Sequence, residues 1–211
     1  MNIWEIENNF YLKSDVSRLR KSVCQFEVFK KSAEVPGAIV ECGVFKGASL
    51  IRLLTYRDLF KKSKNKKFYG FDPFGRFPKQ NIKEDQKFAM SHDKGSGLGI
   101  SEKKLNNYLK KKKFKNFNLI KGDITQTLPK FLKKNKKIKI SFLHLDMDVY
   151  QPTKFALDNL YNKVSKNGVI LIDDFYGVQG ATRATKEFIR KKNLKIQNLP
   201  YNKRLNFIIK K

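Results

Sequence analysis

The chain has 211 residues, 40% of them hydrophobic, and a formal net charge of +27. That length suits one domain with a substantial core, and no apolar run approaches the roughly 18 residues of a bilayer span. The first residues are polar and acidic, unlike a signal peptide, and two cysteines, Cys24 and Cys42, suit a reducing cytoplasm rather than a disulfide framework.

The charge has two readings. An acidic partner (nucleic acid, an anionic membrane surface or a phosphorylated substrate) is the functional one. A lysine-rich composition on solvated faces is the other, and the lysine runs at 61–62, 110–113 and 133–134 fall at expected helix ends, where they favour the negative pole.

In chain order, residues 15–33 have helical spacing with Val16, Leu19, Val23, Phe26 and Phe29 on one face. Pro36-Gly37 ends that helix, and 38–41 read as a buried strand. Gly43 to Gly47 is a turn, and a helix starts at Ala48. Residues 67–72 are the next strand, followed by a Pro-, Gly- and charge-rich loop over 73–99. Ser101 is an N-cap for a further helix. Then come a strand at 118–122, a short helix at 127–134, a strand over 138–146, a helix over 154–164, a strand over 168–174 and a helix over 184–190. Two closing strands, 195–199 and 206–209, read as an antiparallel hairpin. Alternation of strands and helices predicts a doubly wound, mostly parallel α/β sheet. The organisation expected is an N-terminal helical segment, 1–35, and one domain, 36–211.

Several strands end in carboxylates. Asp146 follows 138–145, with Asp148 two residues on, and Asp173-Asp174 follow Val169-Ile-Leu-Ile172. Neighbouring strand tips bring these acids to the sheet edge where open α/β sheets bind ligands. Oxygen ligands from Asp146, Asp173 and Asp174 suit a hard cation such as Mg²⁺. If the chain stays extended, Asp148 faces the same way as Asp146. The segment Glu41-Cys42-Gly43-Val-Phe45-Lys-Gly47-Ala-Ser49 opens a helix after the first core strand. It is neither a P-loop nor a full dinucleotide fingerprint, since Phe45 holds the second glycine's place. It suits a cofactor without phosphates, and equally an ordinary strand-to-helix turn. Asp72 can accept ribose hydroxyls or serve as a cap or turn residue, and Gly122-Asp123 can approach an adenine or cap the next helix. His144, inside a strand, reads as packed or supporting, whereas His92 in the long polar loop is a candidate general base.

Together, the stretches 36–47, Tyr69-Gly-Phe-Asp72-Pro-Phe-Gly-Arg-Phe-Pro78, 121–129, Leu145-Asp-Met-Asp148-Val-Tyr150 and Gly168-Val-Ile-Leu-Ile-Asp-Asp174-Phe-Tyr176 resemble class I S-adenosylmethionine-dependent methyltransferases. The pattern is more similar still to the macrocin sugar O-methyltransferases. The resemblance implies a Rossmann-like seven-stranded sheet ending in the antiparallel hairpin. It implies S-adenosylmethionine near Glu41, Cys42, Gly43, Ser49, Asp72, Gly122, Asp123 and Asp146, and Mg²⁺ on Asp146, Asp173 and Asp174. It implies His92 as base and a sugar, nucleotide-sugar or related small molecule as acceptor; Asp148, beside Asp146, is the second candidate base should His92 lie remote. Val149 stands where catechol-type relatives carry a lysine, which argues against that mechanism. A nucleic-acid methyltransferase using the basic surface and a non-catalytic basic binding module are the alternatives. The sequence is compatible with a homo-oligomer.

Overall fold

The computed structural model describes residues 2–173 and 175–211, with Arg204 by its backbone alone. The described residues form a seven-stranded sheet flanked by helices, with strand order β3-β2-β1-β4-β5-β7-β6. Strands β1 (Ala38–Cys42), β2 (Phe68–Asp72), β3 (Phe117–Lys121), β4 (Ile140–Leu145) and β5 (Val164–Ile172) run parallel. The last two, β6 (Gln197–Leu199) and β7 (Asn202–Ile209), form the antiparallel finish, with β7 against β5. This is the doubly wound sheet and closing hairpin that the residue pattern predicts.

The strand interiors are continuous apolar runs because both faces are covered. Alternate residues point to opposite layers. Ile39, Phe142 and Leu171 pack against α2 (Val16–Lys30), α3 (Ala48–Leu59) and α5 (Glu102–Lys111). Val40, Leu143 and Ile172 pack against α6 (Ile124–Lys134), α7 (Tyr150–Leu160) and α8 (Gln179–Lys192). The lysine runs do lie at helix ends: Lys110-Lys111 in the last turn of α5 and Lys133-Lys134 in that of α6.

The structure differs from the sequence reading in several places, among them the starts of α6, β5 and β7, which lie three or four residues earlier than expected. A capped helix, α1 (Ile3–Lys13), precedes α2, with Asn2 and Glu5 forming a capping box and no residue of the helix buried. The buried side of α2 is Cys24, Gln25, Val28 and Phe29, while Val16 and Val23 are exposed. The buried stripe therefore lies about one position from the one the periodicity predicts, with Phe29 common to both and Phe26 packed at its edge. The segment 73–99 is not all loop, for Lys83–Ser96 forms helix α4. Its first turn carries Glu84 and Asp85, which favour a helix start, and its glycines lie only at the far end. Helices α7 and α8 also begin four and five residues earlier than the periodicity suggested. The start of α7 is fixed from outside itself, because the Asp85 carboxylate accepts the Tyr150 N–H at 2.9 Å.

Candidate active site

Chain geometry at the carboxyl ends of β1, β2, β4 and β5 creates a cavity of about 550 Å³. It lies at the point where strand order reverses between β1 and β4, the usual ligand crevice of an open α/β sheet. Gly43, Asp72, His92, Gly122, Asp123, Asp146, Asp148 and Asp173 all line it. So the structure gathers most of the residues singled out by sequence around one space. Asp174 lies outside the described residues.

The floor is built by backbone approach. After β1 the chain must turn beneath the end of β4, and Asp146 N–H donates to Cys42 O at 2.9 Å. A Cβ on Gly43 would sit 1.8 Å from the Asp146 carbonyl oxygen, and its φ is +92°. Glycine here serves the crossing of two chain segments, the plainer of its two readings. Asp72 then ties the turn down. Its Oδ2 accepts the N–H groups of Val44 (2.8 Å) and Phe45 (2.9 Å), and its Oδ1 accepts that of Phe74 (2.6 Å). Burial raises the Asp72 pKa, and these donated hydrogen bonds oppose the rise. Much of its acceptor capacity is thus spent on the protein's own loops, which sequence reading assigned to a ribose. Asp123 likewise caps α6, accepting from Thr125 N–H and Thr125 Oγ1, each at 2.8 Å.

Glu41, Cys42 and Ser49 do not line the cavity. Glu41 and Cys42 are wholly buried in β1, and burial pushes the Cys42 thiol far up. Ser49, in the first turn of α3, is 7% exposed. Glu41 instead faces His144 on the neighbouring strand, with which it is in register, and Oε1 lies 3.0 Å from His144 Nδ1. On its other side, His144 Nε2 is 3.7 Å from Asp173 Oδ1, an electrostatic contact too long for a hydrogen bond. Burial alone would depress the imidazole, but Asp173 and Glu41 override it and hold His144 up to about 10. Burial would likewise raise Asp173, yet His144 and Lys21 hold it well below the usual carboxylate range. A charged row therefore crosses three adjacent strands, Glu41 on β1, His144 on β4 and Asp173 just beyond β5.

Asp146 and Asp173 supply the metal-type geometry. One ligand atom each from His144, Asp146 and Asp173 lies within 4.8 Å of the others. His144 engages Glu41 through Nδ1 and leaves Nε2 without a hydrogen-bond partner, but a hard cation prefers oxygen, so the two carboxylates are the fitting donors. Both are held by their backbones: Asp173 N–H donates to Leu145 O at 3.0 Å, as Asp146 N–H does to Cys42 O. Asp148 reaches the cavity by another route than the extended chain expected. Its φ is +63° and Val149 N–H closes on Met147 O at 2.6 Å, so the chain makes a γ-turn there. His92 sits on α4 rather than in a loop. Its ring lies among Phe45, Phe77 and Phe88, with centroids 5.0, 5.3 and 5.9 Å away, and Nδ1 is buried without a hydrogen-bond partner.

The cavity wall also includes Arg18 and Lys21 of α2, which sequence reading passed over. Lys21 Nζ donates to Asp173 Oδ2. The only hint was two cations one turn apart in a helix scanned for its apolar face.

Comparison with known proteins agrees with this geometry. Residues 16–200 match the model of the family described as Macrocin-O-methyltransferase (TylF). A demethyldecarbamoylnovobiocin O-methyltransferase from Streptomyces niveus is 28% identical over 151 residues, 67% of this chain and 53% of that protein. The chain thus spans about half the length of that curated relative. The crystal structure of CalS11, a calicheamicin methyltransferase, superposes with a TM-score of 0.74 at 18% identity, over 99% of this chain and 86% of the other. The O-methyltransferase NovP superposes with a TM-score of 0.71 at 24% identity, over 92% and 79%. Both likenesses are of fold. With the family model covering most of the chain, the protein belongs to the macrocin O-methyltransferase family.

Proposed function

We propose that the protein transfers a methyl group from S-adenosylmethionine to a hydroxyl of a sugar or related small molecule, assisted by Mg²⁺ at Asp146 and Asp173. The carrying observation is that carboxylates from the ends of β4 and β5 line one cavity together with the Gly43 turn and the tips of β2 and β3. The volume suits a nucleoside together with a small acceptor. Names of relatives point the same way: one is a demethyldecarbamoylnovobiocin O-methyltransferase, and CalS11 is described as a TDP-rhamnose 3′-O-methyltransferase.

In this reading, Gly43, Asp72, Gly122 and Asp123 border the donor's place. Phe45, Phe77 and His92 line the same cavity and give it an aromatic wall. Asp146 and Asp173 would hold the divalent ion, which when bound lowers the pKa of an acceptor hydroxyl. His92 or the Asp148 carboxylate takes the hydroxyl proton. The acceptor oxygen then forms its bond to the methyl carbon as the sulfur–methyl bond breaks, leaving S-adenosylhomocysteine. Fixed orientation and water exclusion supply most of the rate. His144 and Glu41 touch no reacting atom in this scheme. They hold Asp173 in place and keep it ionised. Residues 36–211 make up the methyltransferase domain, and α2 contributes Arg18 and Lys21 to its rim.

The test is methyl transfer from labelled S-adenosylmethionine to a panel of nucleotide sugars and glycosides. It is run with and without EDTA, in the native protein and in Asp173→Ala. Loss of transfer in both arms is expected. Undiminished transfer in both would refute the metal role, and failure to bind S-adenosylhomocysteine by calorimetry would refute the activity altogether.

A further inference from the structure

The carboxylate best placed to bind a divalent ion already has a cation on it. Asp173 is 6% exposed in its side chain, and Lys21, whose side chain is 31% exposed, donates from Nζ to its Oδ2. His144 stands on the Oδ1 side at 3.7 Å. A buried carboxylate needs compensating positive charge, and here two groups of the chain supply it. Lys21 arrives from a different layer of the fold than the sheet tips, on a helix whose anchoring residues Cys24, Val28 and Phe29 lie in its later turns. Toward the start of α2, Val16, Arg18 and Arg20 are exposed. The lysine stem is long and rotatable, so its head can leave Asp173 without moving those anchors.

Resting on the metal reading above, the geometry points to Lys21 as an internal competitor of the divalent ion at Asp173. A divalent ion shared by Asp146 and Asp173 would lie within a few ångströms of an ammonium on the same carboxylate, and like charges at that distance repel strongly in a part-buried site. The ion therefore gains Asp173 only as Lys21 swings out. Lys21 sets metal affinity, and it links metal occupancy to the position of the cavity wall that also carries Arg18. The role differs from that of a ligand or a base: the residue opposes the ion and makes no bond to it.

Mn²⁺ serves as the probe, with bound and free ion separated by electron paramagnetic resonance at constant pH and no methyl donor present. Lys21→Met removes the charge and keeps the stem, and it is expected to bind Mn²⁺ at least tenfold more tightly than the native protein. Lys21→Arg restores a positive head and is expected to bind as weakly as the native protein. A melting curve of each variant verifies folding, and Lys21→Gln provides a second neutral head should Lys21→Met fail to fold. Equal Mn²⁺ affinity in native and neutral variants would overturn the competition while leaving the metal site standing. Tightening that persists in an Asp173→Asn background would overturn it too, by placing the gain elsewhere. No Mn²⁺ binding in any of these proteins would remove the metal reading, and this inference with it.

Discussion

Glu41 is the most consequential buried charge away from the cavity. Glu41→Gln keeps its shape and removes one end of the row that runs through His144 to Asp173. Both Glu41 and His144 are wholly buried, and the contact between them is 3.0 Å. Removing one partner of a buried ion pair costs about 3–5 kcal/mol, because the other charge is left uncompensated. Glutamine still offers an oxygen to His144 Nδ1, and Asp173 still attracts the imidazole, so the loss should fall to about 2–3 kcal/mol. For a chain of this size that corresponds to a fall in Tm of about 4–12 °C. Scanning calorimetry reads the shift. A double-mutant cycle with His144→Phe reads the coupling, and the two changes should be clearly non-additive. A Tm unchanged to within about a degree and an additive cycle would show that the row stores no interaction energy, and the account of Asp173 as held ionised by His144 would fail.

Three further outcomes follow from the geometry. Gly43→Ala should destabilise by about 2–4 kcal/mol, from a positive φ and a Cβ driven into the Asp146 carbonyl, and urea unfolding measures it. Asp72→Ala frees the N–H groups of Val44 and Phe45 in the Gly43 turn and that of Phe74 after β2, so affinity for S-adenosylhomocysteine by calorimetry should fall at least tenfold while secondary structure by circular dichroism is kept. Lys66, whose Nζ donates to the carbonyls of Ser32, Ala33 and Val35, is depressed to about 8 by burial. A lysine with a lowered folded pKa sheds its proton in the native state first, so the unfolded chain binds more protons between about pH 8 and 10.5. Stability of the native protein relative to Lys66→Met should therefore rise across that window, as followed by denaturant midpoints; a flat difference would refute the assignment.

The fold was legible because both-sided burial leaves a plain mark. The runs at 38–40 and 169–172 are apolar without alternation, as strands covered on two faces must be, and lysines cluster where helices end. The parts that were misread depend on contacts distant in sequence. Helix α4 looked like loop because Gly95, Gly97 and its charges dominated the composition, whereas the buried Asp85 carboxylate reaching the first N–H of α7 helps fix its position. The face of α2 was misjudged because Val16 and Val23 fit the helical period yet lie exposed, and period alone does not say which side meets a sheet.

The candidate site shows the same division more sharply. Asp146 and Asp173 could be placed from sequence because a residue at the end of a buried parallel strand has one place to be, the edge of the sheet. Nothing in a linear pattern sets the register between β1 and β4, and that register alone puts Glu41 opposite His144 and turns two ordinary core positions into a charged row. Likewise, the spacing of Asp146 and Asp148 suggested a shared face, while the γ-turn at Asp148 brings it to the cavity with the chain no longer extended. Lys21 is the extreme case. Some 152 residues separate it from Asp173, and only the packing of α2 against the sheet brings the two together. Groups that react can therefore be read from strand ends, but the charges that tune them come from register and layer packing, which is why Glu41, His144 and Lys21 carry the most discriminating experiments on this protein.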